Sequence, residues 1–329
     1  MITRSRLLVH RAVLVCLFSW LLSACAGTPL VAPLVTGTTE PQTVELVDTP
    51  FFPQRRYQCG PAALATALRA SGVAVDADAL TEWIYLPERK GSLQLELIAA
   101  ARRFERVPYV LPKSLSPLLA EIRAGRPVIV LQNLGLRRWP YWHYAVVVGF
   151  DAERDRLVLR SGTTRRKIVK ASRFVRTWQR AHSWALVMLR PSELPADPDH
   201  DRYVQAVAGL EATGHIDAAT TAYRTALGHW PQSRIARLGL GNTYYLGGDL
   251  LSAAEQFKVV VQNSPGTVVP RNNLAQVMAE LHCTDAAMEQ IEVALANPDN
   301  NPELRQMLNK TRDSILAWQA KSELRDCPL

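Results

Sequence analysis

The sequence predicts two domains in tandem, an α+β domain followed by an all-α domain. Three observations carry this. The chain has 329 residues, enough for two domains at roughly 150 residues each. Residues 51–190 read as helices first and mostly antiparallel strands after, the order of an α+β arrangement. From residue 200 onward a period of 34 residues appears, the mark of a helical repeat array.

Composition narrows the class further. With 48% hydrophobic and 21% charged residues the chain is neither disordered nor collagen-like. Each domain can bury a core without a disulfide framework. The net charge of +8 is unevenly divided. Residues 1–24 carry three Arg and no acid, and residues 25–198 carry 24 Lys and Arg against 15 Asp and Glu. Residues 199–329 carry 11 against 15, so a basic half joins a mildly acidic one.

The N-terminus reads as an address. Arg4, Arg6 and Arg11 precede an apolar run from Ala12 to Leu22, shorter than the ~20 residues that span a bilayer. This is the pattern of a secretory signal. The run ends Leu22-Ser23-Ala24-Cys25, which resembles a bacterial lipoprotein signal. The resemblance implies that residues 1–24 are removed and that Cys25 is lipidated, which would hold the protein to a membrane. Ala26 after the Cys implies the outer membrane, with the protein facing the periplasm. An ordinary signal or a short uncleaved anchor is the plainer reading. Residues 25–50 contain no Lys or Arg and show no periodicity, so they read as a tether. Export and a lipid tether argue against nucleic acid as a partner despite the positive charge.

The elements of residues 51–190 follow in order. Ala, Leu and Thr after Pro61 predict a buried helix over 60–71. Pro61 suits a first helical turn, where its missing N–H costs nothing. Helices near 78–84 and 93–104 precede a strand at 107–111. A helix over 115–124 and a strand over 127–132 come next. Strands at 143–150, 156–160 and 165–169, a helix over 171–179 and a strand at 184–190 close the domain. Residues 191–199, with three Pro, read as a linker.

Of five Cys, Cys16 lies in the signal and Cys25 at its end, leaving the odd number Cys59, Cys283 and Cys327. Cys59 falls at or just before the N-terminus of the helix that Pro61 opens. The dipole and free N–H groups there favour a thiolate, so this reads as an activated thiol. A buried structural Cys is the plainer reading. A nucleophilic Cys needs a base. His143 opens the Val-rich strand Ala145-Val146-Val147-Val148-Gly149-Phe150-Asp151, and His182 precedes another apolar strand as the runner-up.

Gln54, then Cys59-Gly60-Pro61-Ala62-Ala63-Leu64, then His143 at the head of its strand, resemble the papain-like cysteine peptidases that process double-glycine leader peptides. The exported relatives without a transporter are more similar still, and the resemblance covers about residues 50–191. It implies that Cys59 attacks, that His143 moves protons and that Gln54 donates to the oxyanion. Gln58 is the competing Gln. The family places an Asp or Asn on the next strand to orient the His. Here that strand ends in Ser161-Gly162, so Ser161 would accept a hydrogen bond from His143 without a negative charge. Asp151 and Asp155 read as turn residues away from the site. Trp139, Tyr141 and Trp142 line a cleft beside His143 or simply pack. The basic stretch from Arg160 to Arg180 reads as a solvated face, with attraction to acidic substrate or anionic lipid as the sharper alternative.

Windows starting at His200, Arg234 and Val268 align without gaps. They resemble tetratricopeptide repeats, which implies three helix pairs and a concave groove for a peptide or protein partner. Pro302 to about Lys321 reads as a capping helix, so residues 200–322 form the repeat domain and 323–329 a tail. In that arrangement Cys283 lies in the turn of the third repeat and the capping helix runs back towards it. A Cys283–Cys327 disulfide follows as the expectation, with two free thiols as the alternative. The combined expectation is an enzyme, a membrane-anchored cysteine peptidase without cofactor or metal, acting on a peptide or protein. Another acyl transferase or amidase on the same site, and a repeat scaffold carrying an inactive peptidase fold, remain alternatives.

Overall fold

A computed structural model describes residues 42–320 and 327–329. The expectations for the signal, for lipidation at Cys25 and for a tether up to residue 41 lie outside the described residues. The first half is built on one twisted sheet. Its strands are β1 (Thr43–Glu45), β2 (Val107–Val110), β3 (Val128–Asn133), β4 (Trp142–Asp151), β5 (Arg156–Ser161), β6 (Thr164–Lys170) and β7 (Ala185–Leu189). They lie in the order β2-β7-β3-β4-β5-β6, all antiparallel, with β1 paired to β4. The helices of this half are α1 (Cys59–Ala70), α2 (Ala77–Ile84), α3 (Gln94–Arg103), α4 (Leu115–Arg123) and α5 (Ala171–Gln179).

The central strands read as unbroken apolar runs because both faces of the sheet are covered. Leu64, Leu68, Leu80 and Leu97 of α1–α3 pack on Ile129, Leu131, Val146, Val148 and Leu186. The alternate residues Val128, Val130, Ala145, Val147 and Val187 pack on the other side. There they meet Leu118 and Ile122 of α4 and Phe174 and Trp178 of α5.

Two sequence expectations need correction here. Residues 42–50 are part of the domain, not of the tether, since Thr43–Glu45 pair with Gly149–Asp151 of β4. A three-residue strand has no periodicity of its own and forms only because β4 offers a partner. Arg160 is buried rather than solvated. Its guanidinium donates to the carbonyls of Val47 (3.1 Å), Thr49 (3.2 Å) and Arg165 (2.7 Å), and so clamps the entering chain to the sheet.

The second half is a stack of helix pairs: α6 (His200–Ala212) with α7 (Ile216–His229), α8 (Arg234–Leu246) with α9 (Leu250–Asn263), and α10 (Val268–Glu280) with α11 (Thr284–Leu295). The first helix of each pair begins at His200, Arg234 and Val268, the starts of the aligned windows. The repeat extends to individual bonds. Arg237 donates to Gln256 and to the Pro231 carbonyl, and Arg271, 34 residues on, donates to Gln290 and the Pro265 carbonyl. Glycines set the helix spacing. A Cβ at Gly239 would meet the Tyr223 ring at 2.2 Å, and one at Gly241 the Phe257 ring at 2.4 Å. α12 (Pro302–Gln319) covers the last pair with Leu308 and Ile315, and a disulfide joins Cys283 to Cys327.

Residues 191–199, expected as a linker, are packed. Glu121 is paired with Arg126 and also accepts from the Ala196 N–H at 2.7 Å, and Tyr203 donates to the Glu193 carbonyl at 3.0 Å. Tyr203, Val207, Leu210 and Tyr223 of the first repeat belong to the same apolar cluster as Val107, Tyr109 and Leu189 of the sheet. Pro-rich composition alone predicts a spacer, but the buried apolar surface on both sides makes this segment a seam.

Candidate active site

Cys59 is the first residue of α1 and is the free cysteine among the described residues. The helix starts there because Gln58 leaves the helical conformation while its carbonyl accepts the Ala62 N–H. Pro61 follows inside the first turn. Gly60 is required by close packing: a Cβ there would lie 2.5 Å from Ser92 Oγ, itself buried without a partner. Tyr57, two residues before the thiol, holds a left-handed backbone with φ of 67°.

A cleft of about 690 Å³ opens over the sulfur. Gln54, Cys59 and His143 all line it. Gln54 is anchored by its backbone, which donates to the Gly162 carbonyl at 3.1 Å, whereas Gln58 does not line the cleft. Tyr141 and Trp142 form part of the wall, while Trp139 is exposed outside it. His182 also stands on the rim. It is exposed and held in a left-handed turn, whereas His143 is buried on a strand.

His143 and Cys59 approach from different faces. In β4, Tyr144 and Val146 face α1, while His143 shares the alternation of Ala145 and Val147 on the opposite side. His143 reaches the cleft because it stands one residue from the start of β4, where the sheet ends. Its Nε2 shares a 2.9 Å hydrogen bond with Ser161 Oγ at the end of β5. That leaves Nδ1 as the nitrogen able to take the thiol proton. Asp151 and Asp155 lie at the far turn of the same hairpin, where Asp151 pairs with Arg154.

The electrostatics differ from the expectation of a ready thiolate. Burial pushes the Cys59 thiol up, and the backbone N–H groups of Tyr144 and Gly60 oppose this only in part. Burial, with the Lys167 charge second, pushes His143 down to about 4. Both shifts favour the neutral forms. The resting pair is therefore thiol and imidazole rather than thiolate and imidazolium. The helix starts at Cys59 as the sequence predicts, but a helix start carries no information on how deeply the sulfur is buried.

Three further contributors were missed in the sequence. Tyr144 supplies a backbone N–H to the sulfur, Lys167 sets a charge against His143, and Gln132, paired opposite His143 across β3 and β4, donates to Thr177 Oγ1 at 2.7 Å. Tyr144 was within reach of a period-two count from His143. The other two depend on sheet register. Among the described residues no group of three or more His, Cys, Asp or Glu comes together to hold a metal ion.

An N-terminal helix bearing a Cys, packed on an antiparallel sheet bearing a His, is the arrangement of a papain-like peptidase fold. Comparison with known families agrees. Residues 46–186 match the Peptidase_C39 like family and residues 209–267 the tetratricopeptide repeat. Residues 46–186 are thus similar to a Peptidase_C39-like domain, a family of cysteine-peptidase type, and residues 209–267 to tetratricopeptide repeats, which generally mediate protein–protein interaction. Among solved structures, a C39-like protein from Bacillus anthracis is 18% identical, with a TM-score of 0.39 over 45% of this chain and 98% of its own. The peptidase domain of Streptococcus ComA, a bi-functional ABC transporter involved in a quorum-sensing pathway, is 20% identical, with a TM-score of 0.36 over 43% and 98%. The Sgt2 repeat domain from Aspergillus fumigatus is 18% identical, with a TM-score of 0.34 over 42% and 92%. No curated protein matches the chain.

Proposed function

We propose that the protein is a cysteine peptidase of the bacterial envelope. On this reading it is tethered through a lipid on Cys25 and faces the periplasm from the outer membrane. The observation that supports catalysis most is the convergence of Gln54, Cys59 and His143 on one cleft, with Ser161 bonded behind the His.

A neutral imidazole defines the mechanism. His143 takes the Cys59 proton as the sulfur bonds to the scissile carbonyl carbon. The oxygen, now negative, meets the Cys59 N–H at the helix start and the Gln54 amide. His143 returns the proton to the leaving amine, and the C–N bond breaks to give a thioester. Water, deprotonated by the same His, then releases the acid and the thiol. The aromatic wall of Tyr141 and Trp142 would hold extended peptide, and the repeats would recruit a protein substrate or partner.

A non-catalytic reading is favoured by one observation, the Ser in the acid position. Alkylation by iodoacetamide at pH 7, read by mass spectrometry, separates the two. Catalysis predicts that His143→Ala slows labelling of Cys59 by about 100-fold, the low end of general-base effects. Equal rates in both proteins would leave only a scaffold. Incorporation of labelled palmitate that disappears in Cys25→Ser tests the anchor, and incorporation unaffected by that change would remove it.

A further inference from the structure

A second pocket lies on the other side of Ser161. It measures about 380 Å³ and is lined by Gln132, Ser161, Lys167, Arg173, Arg176 and Arg180, among others. It opens between the ends of β3, β5 and β6 and the exposed side of α5, on the sheet face opposite α1. No Asp or Glu lines it. Among the described residues no carboxylate pairs with any of the four cations. Four cations around one small cavity repel each other unless a counter-charge sits among them. Three cations elsewhere in this half do have a carboxylate: Arg126 pairs with Glu121, Arg154 with Asp151 and Arg166 with Glu45.

We propose that this pocket binds a small oxyanion, carboxylate or phosphate, which stands in for the acid that Ser161 replaces. The proposal rests on the catalytic reading of His143. The chemistry follows from what a hydroxyl can do. Ser161 Oγ can donate its single proton to Nε2 or accept a proton from it. If Ser161 donates, the ring proton sits on Nδ1 and the imidazole cannot receive the thiol proton. An oxyanion in the rear pocket gives the Ser161 hydroxyl a stronger acceptor. The hydroxyl then donates to the oxyanion and accepts from Nε2–H, and the Nδ1 lone pair is left for Cys59. No bond between heavy atoms changes: the ring gives its Nδ1 proton to solvent and takes one from solvent at Nε2, and the direction of one hydrogen bond reverses. The oxyanion also offsets Lys167, whose charge opposes protonation of His143. On the cleft side Cys59 and Tyr144 are kept neutral by burial, and on the rear side Arg173 and Arg176 of α5, with Arg180 just beyond it, face the same pocket as Ser161 and Lys167.

Nitrogen NMR of the full chain with ¹⁵N-labelled histidine reads the tautomer directly. Acetate, inorganic phosphate and phosphatidylglycerol vesicles are titrated separately at constant ionic strength set by chloride. The expected result is a shift of His143 to the Nε2–H tautomer and a rise in its pKa of about one unit or more. A response to acetate or phosphate assigns a soluble oxyanion, and a response to vesicles alone assigns a lipid headgroup. Arg173→Gln with Arg176→Gln should lose the response, because both guanidinium groups line the pocket and are exposed, so the fold does not depend on them. Lys170→Gln, the same loss of charge outside the pocket, should keep it. Ser161→Asp should show the Nε2–H tautomer without any added anion and respond to none. An equal shift with chloride alone, a response that survives in the double variant, or no response to any probe would overturn the proposal. The two readings fail separately. A His143 that responds to oxyanion while Cys59 alkylation ignores His143→Ala keeps the pocket and removes the enzyme. The reverse pattern keeps the enzyme and removes the pocket.

Discussion

The two halves of the molecule arrange their polar residues differently. In the repeats, polar side chains bond each other in a pattern that translates along the stack, and the exceptions are the buried Asn272 and Asn300 side-chain oxygens, which have no partner. Arg237 and Arg271 make the same two kinds of bond 34 residues apart, and Asn273 donates to Asn242, which donates to Glu211. In the α+β half, His143, Ser161 and Gln132 are buried together, and the Ser92 hydroxyl in the cleft wall has no partner. Stacked repeats are stabilised by regular local rules. A reactive site is where such rules are broken at a local cost. Stability should therefore respond most to changes in the second half, and reactivity to changes in the first.

The largest expected effect on that contrast is at the disulfide. Cys283–Cys327 closes a loop with a sequence separation of 44, and a loop of that length contributes about 4 kcal/mol in the chain-entropy account. Cys283→Ser should lower the unfolding free energy of the repeats by that order, read from denaturant melts, while the alkylation rate of Cys59 stays within twofold. A parallel loss of Cys59 reactivity would show that the seam at residues 191–199 couples the halves too tightly for the contrast to hold.

How much of each half could be read in advance follows the same division. The repeat starts at His200, Arg234 and Val268 were visible because each repeat contacts only its neighbours, so sequence spacing and spatial spacing coincide. Cys59, Gln54 and His143, which line one cleft, could be singled out because their types and local contexts are chemical: a helix start, a preceding Gln, a strand entrance. What was hidden is what register and burial decide. Nothing local distinguishes Arg160, which enters the core, from Arg165 and Arg166, which stay out. Nothing local says that Gln132 faces His143, or that Thr43–Glu45 adds a strand to β4. The neutral state of Cys59 was hidden for the same reason, since desolvation is a property of the assembled cleft.

A smaller effect, about 3 kcal/mol, is expected from pH in the first half. His143 is held down at about 4 in the fold against 6.5 for the free side chain. Between those values the unfolded chain takes up a proton that the folded chain refuses, so stability falls as pH drops from about 6.5 to about 4. Chemical denaturation across that range should show the slope, and His143→Gln should flatten it. An unchanged slope would mean that the ring is not buried as neutral imidazole, and the contrast would lose its main support.

The next step down is the helix spacing of the repeats. Gly239→Ala places a Cβ 2.2 Å from the Tyr223 ring, a fully buried side chain that also bonds Glu211. Overpacking of this kind costs about 1–3 kcal/mol. Thermal melts should show the loss without any change in Cys59 alkylation. Tolerance of the added methyl would mean that the repeats slide to accommodate it, and that their regularity is softer than the bond pattern suggests.

The smallest effect sharpens the contrast inside the first half. Arg160 and Arg166 lie six residues apart on one hairpin, and both tie the entering chain to the sheet. Arg166 does so from solvent, as a paired contact with Glu45 at 2.8 Å. Exposed pairs of this kind contribute about 0.2–1 kcal/mol, and salt screens them. Arg160 does so from the interior, where its loss leaves the buried Thr49 carbonyl without a donor, while the Val47 carbonyl, on an exposed residue, can turn to water. Each buried acceptor left unpaired costs about 1–3 kcal/mol. Arg166→Gln should therefore shift the unfolding midpoint only slightly, and raised salt should erase the difference. Arg160→Gln should shift it several times more, whatever the salt. Equal shifts for the two would show that the clamp on residues 46–49 does not depend on burial, and that charge alone holds the first strand to β4.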